Sequence, residues 1–203
     1  VCSSDLVDAP FWTSELAKYF EGKENAPLIG VSNHNLAEIR QADEILKKHG
    51  LRLSAVQNHY SLINRSSERS GILGWCKENG VTFFSYMVLE QGALSGKYDT
   101  AHPMPAGSAR ADTYNPVLDK LEVLNAKLRG IAEKHGVEAA QIPVAWAIAK
   151  GTLPIVGVTK TKHVDDAAKA AAVSLTAEEI AELEETAERL NINAIRFWEK
   201  EMR

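Results

Sequence analysis

Four apolar runs of the sequence each end in side chains that could bind a ligand. Ser32-Asn33, Gln57-Asn58 and Tyr86 follow the first three runs, and 157–160 with His163 follow the fourth. The hydroxyl and the amides could hydrogen-bond a planar carboxamide, and a tyrosine ring beside them offers a stacking face. The cationic and hydroxyl side chains of the fourth set stand where a helix begins, which favours an anion, especially a phosphate. For any one of these side chains, a cap or a loop hydrogen bond is the alternative.

The elements that must position these side chains are strands and helices in alternation. The apolar runs cover 28–31, 53–56, 81–86 and 153–158, and a helical pattern follows each. Parallel strands need helical crossovers, so this order predicts a parallel α/β sheet with ligands at the carboxyl ends of its strands. An eight-unit barrel typically needs about 250 residues. The sequence therefore predicts either a small open sheet or half of a barrel.

Two of the helices carry a signature at their first residue. Asn35 with Glu38, and Thr176 with Glu179, have the spacing of a capping box, in which side chain and backbone of the first turn bond reciprocally. Gly50 should end the first of these helices. The second is rich in glutamate, and we interpret it as a solvated face with pairing between residues four apart.

The middle of the chain is predicted from composition and apolar spacing. Residues 68–79 are predicted to form one helix, whereas 91–115 are rich in Gly, Pro and Ser, as in a functional loop. Asn115-Pro116 should open the next helix, and 139–150 should form a buried one. The apolar stripe predicted between them is Leu118, Leu121, Leu124, Leu128 and Ile131.

Composition excludes several classes of function. The 203 residues carry a formal net charge of -4 and are 45% hydrophobic, which is typical of a globular domain and gives no reason to expect nucleic acid or anionic lipid as a partner. No apolar run approaches the roughly 20 residues of a membrane helix. Cys2 and Cys76 are too few for a disulfide framework, so we expect a cytoplasmic location. The six histidines are scattered, and we expect no metal site.

Four segments in order resemble the successive motifs of the aldo/keto reductases. They are GVSNHN at 30–35, AVQNHYSLINR at 55–65, FFSYMVLEQGALSGKYD at 83–99 and VAWAIAKGTLPIVGVTK at 144–160. The resemblance implies a TIM-type (β/α)8 barrel, of which this chain would be an incomplete C-terminal portion with about four βα units. It also implies extended binding of NADPH across the strand ends and the reduction of aldehydes or ketones to alcohols.

The resemblance also implies a role for individual residues. Ser32, Asn33 and Gln57 would hold the nicotinamide carboxamide, and Tyr86 would stack on its ring. The loop that passes the pyrophosphate would use Leu89, Gly92 and Leu94. The positions that face the adenosine 2′-phosphate are Val158, Thr159, Lys160, His163 and Asp166. A lysine and a threonine suit a phosphate, which favours NADP over NAD.

The sequence departs from the family pattern beside these positions. Met87-Val88 replaces the usual Ser-Pro after the stacking tyrosine, Ala167 replaces an Asn that often faces the adenine, Asp166 stands where Glu is commoner, and His163 stands where Arg or Gln is usual. These departures concern adenosine binding, not the fold.

No catalytic residue can be assigned. The family's Asp, Tyr, Lys and His tetrad belongs to the first four strands, whereas the match begins in the helix before the fifth, around 11–21. We therefore expect this chain alone to be inactive, although its parent would act on a small-molecule carbonyl substrate. One alternative is a cofactor-sensing regulatory subunit of the channel β-subunit type; another is a stand-alone small α/β binding domain.

The ends of the chain lead to two further expectations. Residues 1–6, VCSSDL, can be encoded by the read-through of a sequencing adapter, so we expect them to be a non-native leader before a partial reductase domain at 7–203. The outer strands would present unpaired edges, which predicts dimerisation or aggregation. The sequence gives no oligomeric state beyond this expectation.

Overall fold

A computed structural model describes residues 9–193 as two compact units. Of these residues, the first unit contains 9–58 and 66–84, and the second contains 59–65 and 85–193. The predicted leader at 1–6 lies outside the described residues.

The strands are β1 at Ile29–Ser32, β2 at Leu53–His59, β3 at Thr82–Tyr86 and β4 at Leu153–Pro154. They form one four-stranded sheet in the order β1-β2-β3-β4. β1 and β2 run parallel, and a register shift lies between the first two residues of β1. A helix follows each strand, so the predicted α/β class with four βα units is confirmed.

The helices of the first unit are α1 at Ala9–Phe20, α2 at Leu36–Lys48, α3 at Ser66–Arg69 and α4 at Ile72–Glu78. In α2 the predicted capping box is present, because the Asn35 side chain accepts from the Glu38 amide at 3.0 Å and the Glu38 carboxylate accepts from the Asn35 amide at 2.8 Å. α2 packs on α1. The apolar face that α2 buries comprises Ile39, Ala42 and Leu46.

The prediction of a single helix over 68–79 is wrong. The chain breaks at Gly71, whose φ of 81° lies in the left-handed region that a helix cannot continue through. α4 restarts there and buries Ile72 and Cys76. Cys76 is 2% exposed, and burial raises the pKa of its thiol from 9.0 to about 12.

The helices of the second unit are α5 at Ala109–Tyr114, α6 at Leu118–His135, α7 at Gln141–Ala149, α8 at Thr161–Ala171 and α9 at Ala177–Leu190. The predicted stripe of α6 is buried along its whole length. α7 is buried as predicted, and its Trp146 ring stacks on Tyr60 at 5.0 Å between ring centroids. α6 packs on α7 and α9, and α7 packs on α8.

Residues 91–115 are more structured than predicted. A 3-10 turn spans Glu90–Gly92, and α5 lies near the end of the segment. Asn115 does not cap α6, because its side-chain amide is bonded to the backbone amide and carbonyl of Met104, both at 3.0 Å. A separate 3-10 turn at Asn115–Val117, with Pro116 at its second position, leads into α6.

The fourth strand is shorter than predicted, with two residues in place of 153–158. The next amide, that of Ile155, still bonds to the Ser85 carbonyl at 2.9 Å, but the chain then leaves the ladder. The side chains of Ile155 and Val158 are 44% and 49% exposed. Burial of these apolar side chains therefore does little to stabilise a strand over this segment.

The glutamates of α9 pair with other elements and not along their own helix. Glu184 lies 2.5 Å from Arg65 and 2.9 Å from Lys150, and it accepts from the Trp146 ring nitrogen at 2.9 Å. Burial raises the pKa of Glu184, but these bonds and cations outweigh burial and lower it overall. Glu182 similarly meets Lys127 at 2.5 Å. The predicted pairing between residues four apart is therefore wrong, although the predicted capping box of α9 is present.

No helix of residues 9–193 is long and apolar enough to cross a membrane. The same residues contain no group of three or more His, Cys, Asp or Glu that could hold a metal ion.

Candidate cofactor site

In the first unit, the carboxyl ends of β1 and β2 bring three predicted residues together. Ser32 is the register partner of Gln57. The amide of Asn33 donates to the Gln57 carbonyl at 3.0 Å, and Asn33 has a left-handed φ of 57°. All three side chains are partly exposed. A hydroxyl and two amide groups on neighbouring strand ends match what a carboxamide requires.

The sequence also offers Asn58, next to Gln57, as an amide that could bind the carboxamide, but in the structure its side chain bonds to the backbone of His34. Its side chain is fully buried, accepts from the His34 amide at 3.2 Å and donates to the His34 carbonyl at 2.9 Å. His34 is buried too, and its Nδ1 lies 2.8 Å from the Ser32 carbonyl. Asn58 therefore fixes the backbone after β1, and only Gln57 of this pair remains partly exposed.

In the second unit, Tyr86 ends β3 with its ring half-buried. The ring stacks on His59, with 5.5 Å between ring centroids and 30° between planes. The carbonyl of Tyr86 accepts from the Tyr60 amide at 3.2 Å. The imidazole of His59 therefore covers one face of the Tyr86 ring and fixes its orientation. Tyr86 is the residue to which the resemblance assigns stacking on the nicotinamide.

The predicted pyrophosphate loop is a compact turn in the same unit. The amides of Gly92 and Leu94 donate to the Leu89 carbonyl at 2.8 and 3.2 Å. Leu94 has no exposed surface, whereas Leu89 and Gly92 are partly exposed. The turn therefore presents Leu89 and Gly92, while Leu94 anchors it.

A cavity of about 220 Å³ in the second unit brings together residues that the sequence had separated. Leu89, His163 and Asp166 of the predicted set line it, and so does Ala167, where the family often has an adenine-facing Asn. Val158, Thr159 and Lys160 do not line the cavity, but they are exposed on the segment that leads into α8. Tyr86, Gly92 and Leu94 also lie outside its wall.

The start of α8 presents cations and no side-chain cap. Lys160 is the capping residue in extended conformation, and its side chain makes no capping bond. The Thr159 amide donates to His163 Nδ1 at 3.3 Å, which holds the imidazole over the first turn. The end of this helix therefore suits an anion both by its dipole and by its side chains.

Asp166, the acidic member of the predicted set, is charge-compensated. Its carboxylate lies 2.7 Å from the Lys162 ammonium, and this hydrogen bond is the main cause that raises the pKa of Lys162. The Asp166 carbonyl accepts from the Gln141 side chain at 2.8 Å. Asp166 therefore adds little net negative charge to the cavity wall.

Sequence reasoning missed Ser95 and Gln141 in this wall. Ser95 lies inside the GALSGKY motif and donates to the Gly92 carbonyl at 2.6 Å. Gln141 is a polar residue at the start of an apolar helix and is 3% exposed. That mismatch of a polar side chain in a buried helix was the signal that could have identified it.

The chain is similar to proteins of one family. The model of the aldo/keto reductase family matches residues 16–188. A chloroplastic pyridoxal reductase from Arabidopsis thaliana is 33% identical over 179 residues, which are 88% of this chain and 48% of that protein. An NADP(+) aldo-keto reductase from Schizosaccharomyces pombe is 29% identical over 177 residues, 83% of this chain and 50% of that protein.

Solved structures share the fold. A glycerol dehydrogenase from Gluconobacter oxydans matches 97% of this chain and 59% of its own with a TM-score of 0.79 and 22% identity. A thermostable aldo-keto reductase, solved with the inhibitor epalrestat, matches 90% and 56% with a TM-score of 0.66 and 24% identity. The chain spans about half the length of the curated relatives it matches. The motif order, the four βα units and the family match agree, and the chain belongs to the aldo/keto reductase family.

Proposed function

We propose that this chain binds NADPH and forms the cofactor-binding part of a protein that reduces aldehydes or ketones. The observation that carries the proposal is the cavity of the second unit, which joins Leu89, His163 and Asp166 beside the cationic start of α8. Family membership supports the choice of a nicotinamide cofactor.

The residues at α8 fit a 2′-phosphate. Lys160 is exposed and would give a charge-assisted bond, and Thr159 offers a hydroxyl. Among the described residues of the wall, the acid Asp166 is neutralised by Lys162, so it would repel a phosphate little. The balance of charge therefore favours NADP over NAD, which lacks this phosphate.

NADPH, when bound, supplies a hydride to a carbonyl carbon. The chain's own residues would bind and orient the cofactor. By the resemblance, Ser32, Asn33 and Gln57 of the first unit would hold the carboxamide, and Tyr86 of the second unit would be the residue that stacks on the ring. The resemblance assigns the proton donor to strands that this chain does not match, so we predict no turnover by this chain alone.

The test is a binding and turnover measurement on the 203-residue chain. Titration calorimetry should give a dissociation constant for NADP+ roughly 10- to 100-fold below that for NAD+, because a charge-assisted hydrogen bond contributes about 1.5 to 3 kcal/mol. Equal affinity for both nucleotides would refute the choice of NADP, and absence of binding would refute the cofactor site.

Turnover is tested on the same sample. NADPH absorbance should stay constant when a panel of aldehydes and ketones is added. Carbonyl-dependent oxidation of NADPH by the purified chain would contradict the expected inactivity. The control is the same panel with an intact reductase of this family, which must consume NADPH under the same conditions.

A further inference from the structure

A fully buried carboxylate lies under the predicted pyrophosphate loop. Glu90 has no exposed surface, and its Oε1 lies 2.7 Å from His59 Nε2. The Ser61 hydroxyl donates to the same oxygen, and the Tyr114 hydroxyl donates to Oε2 at 2.6 Å. All four residues belong to the second unit. Neither the resemblance nor the predicted site assigns Glu90 a role.

Such a carboxylate needs several donors to be tolerated inside a protein. Removing an ionised group from water is costly unless hydrogen bonds replace its hydration. Three side chains from two segments supply those bonds here, His59 and Ser61 from one and Tyr114 from α5, so the loop that carries Glu90 is tied to both segments. Breaking these ties would remove an acceptor that three side-chain donors share.

The backbone around Glu90 depends on these ties. Met87, Glu90 and Gln91 have φ values of 62°, 47° and 52°, a left-handed region that costs free energy for residues other than glycine. The Glu90 amide also donates to the Met87 carbonyl at 2.8 Å. Three such residues within five positions persist only if the surroundings hold them, and the fully buried Glu90 side chain, with its three partners, is one such anchor.

Glu90 also reaches Tyr86 through His59. The imidazole that bonds to Glu90 is the ring on which Tyr86 stacks. We propose that Glu90 is a positioning residue: through His59 it orients Tyr86, and through its own backbone it holds the turn at Leu89 and Gly92, so that the nicotinamide and pyrophosphate half of NADP can bind. This inference rests on the proposed function.

The test compares two nucleotides on the 203-residue chain. NADP+ contains the nicotinamide half, whereas 2′,5′-ADP contains only the adenosine half with its phosphates. Glu90→Met keeps a similar side-chain length but removes every acceptor, and it should weaken NADP+ binding by about tenfold or more. Binding of 2′,5′-ADP should change by less than about twofold, because α8 is untouched.

Two further variants provide a partial rescue and a control. Glu90→Gln retains an acceptor for His59 and Ser61 and can donate to the Tyr114 oxygen, so it should recover part of the NADP+ affinity that Glu90→Met loses. Glu133→Met is the matched control, because Glu133 is exposed on α6 of the same unit. It should leave both affinities unchanged.

Hydrogen exchange provides a second measurement, without nucleotide. In Glu90→Met, amides of 87–94 should exchange faster, while those of α6 and α9 keep their wild-type protection. Should Glu90→Met not fold, Glu90→Gln supplies the same comparison with a smaller expected change.

The outcomes separate the inference from the proposed function. Equal weakening of both nucleotides, or no weakening of either, in a folded Glu90 variant would overturn the inference and leave the proposed function standing. A wild-type chain that binds NADP+ no more tightly than 2′,5′-ADP would overturn the proposed role of the nicotinamide half, and the inference with it.

Discussion

The end of β1 and the start of α8 carry the two predicted halves of the site and are built in opposite ways. After β1, side chains bond to the backbone: Asn58 holds the backbone of His34, and Asn35 caps α2. At α8, Lys160 makes no capping bond, and Thr159 and Lys160 are exposed. The first region is fixed by the protein itself, whereas the second leaves its charges to solvent.

The difference indicates what each half requires of its ligand. A planar carboxamide is recognised by donors and acceptors at set positions, so a rigid backbone is an advantage. A phosphate is recognised mainly by charge, which acts over a distance and tolerates mobile lysines. Substitutions should therefore affect stability after β1 and affinity at α8.

The largest effect is expected from Asn58→Ala. It removes both side-chain bonds to the His34 backbone in a fully buried position, and it should lower the free energy of unfolding by about 3 kcal/mol. Urea denaturation measures this loss. The control is Asn79→Ala at the exposed end of α4, for which a change within about 0.5 kcal/mol is expected. Equal costs for the two variants would remove the contrast between the two regions.

Lys160→Ala should act on affinity. Removing the exposed ammonium should weaken NADP+ by about 2 kcal/mol, roughly 30-fold, and leave NAD+ unchanged. The free energy of unfolding should hardly change, because the Lys160 side chain makes no capping bond. Lys169→Ala, in the last turn of the same helix, is the control for charge alone. A similar loss in both lysine variants would show that general charge, not the position at 160, attracts the phosphate.

Asn35→Ala is the counterpart at α2. It removes the side-chain acceptor of the capping box and should cost about 1 kcal/mol of stability. Thermal unfolding measured at fixed pH would detect this change. Gln41→Ala, exposed in the middle of α2, should be within about 0.5 kcal/mol of wild type. If Asn35→Ala proved as neutral as Gln41→Ala, the rigid description of this region would fail.

The smallest effect concerns a pKa. Asp166→Asn removes the carboxylate that raises the pKa of Lys162, so this pKa should fall towards its ordinary value of 10.5. An NMR titration of the lysine side chain follows it directly. Asp112→Asn, on α5, should leave the pKa of Lys162 where it is. A Lys162 pKa that stays raised in Asp166→Asn would show that the 2.7 Å pair does not persist in solution.

Local rules predicted much of the fold. Two capping boxes, the buried stripe of α6 and the alternation of strand and helix depend on neighbouring residues, and all are present. One error was local, because the left-handed backbone of Gly71 divides a predicted helix. Two errors came from tertiary context: Asn115 bonds to Met104 and does not cap α6, and the glutamates of α9 pair with cations on other elements.

The candidate site was predicted through motifs more than through geometry. Motif order located the strand ends, and the structure brings Ser32, Asn33 and Gln57 together there. Nothing in the local pattern showed that the side chain of Asn58, next to Gln57, would bond to the backbone of His34 and not to a ligand. The burial and bonding of Glu90 could not be predicted either, because its partners lie 24 to 31 positions away in the chain.

The buried thiol of Cys76 can report local opening of α4, the helix that carries it. With a pKa raised from 9.0 to about 12, the native side chain has almost no thiolate near neutrality, and alkylating reagents need the thiolate. In a Cys2→Ser background, the rate at which Cys76 is alkylated therefore measures how often α4 opens. Because the unfolded thiol ionises at lower pH than the folded one, stability should also decline as pH rises from about 9 towards 12.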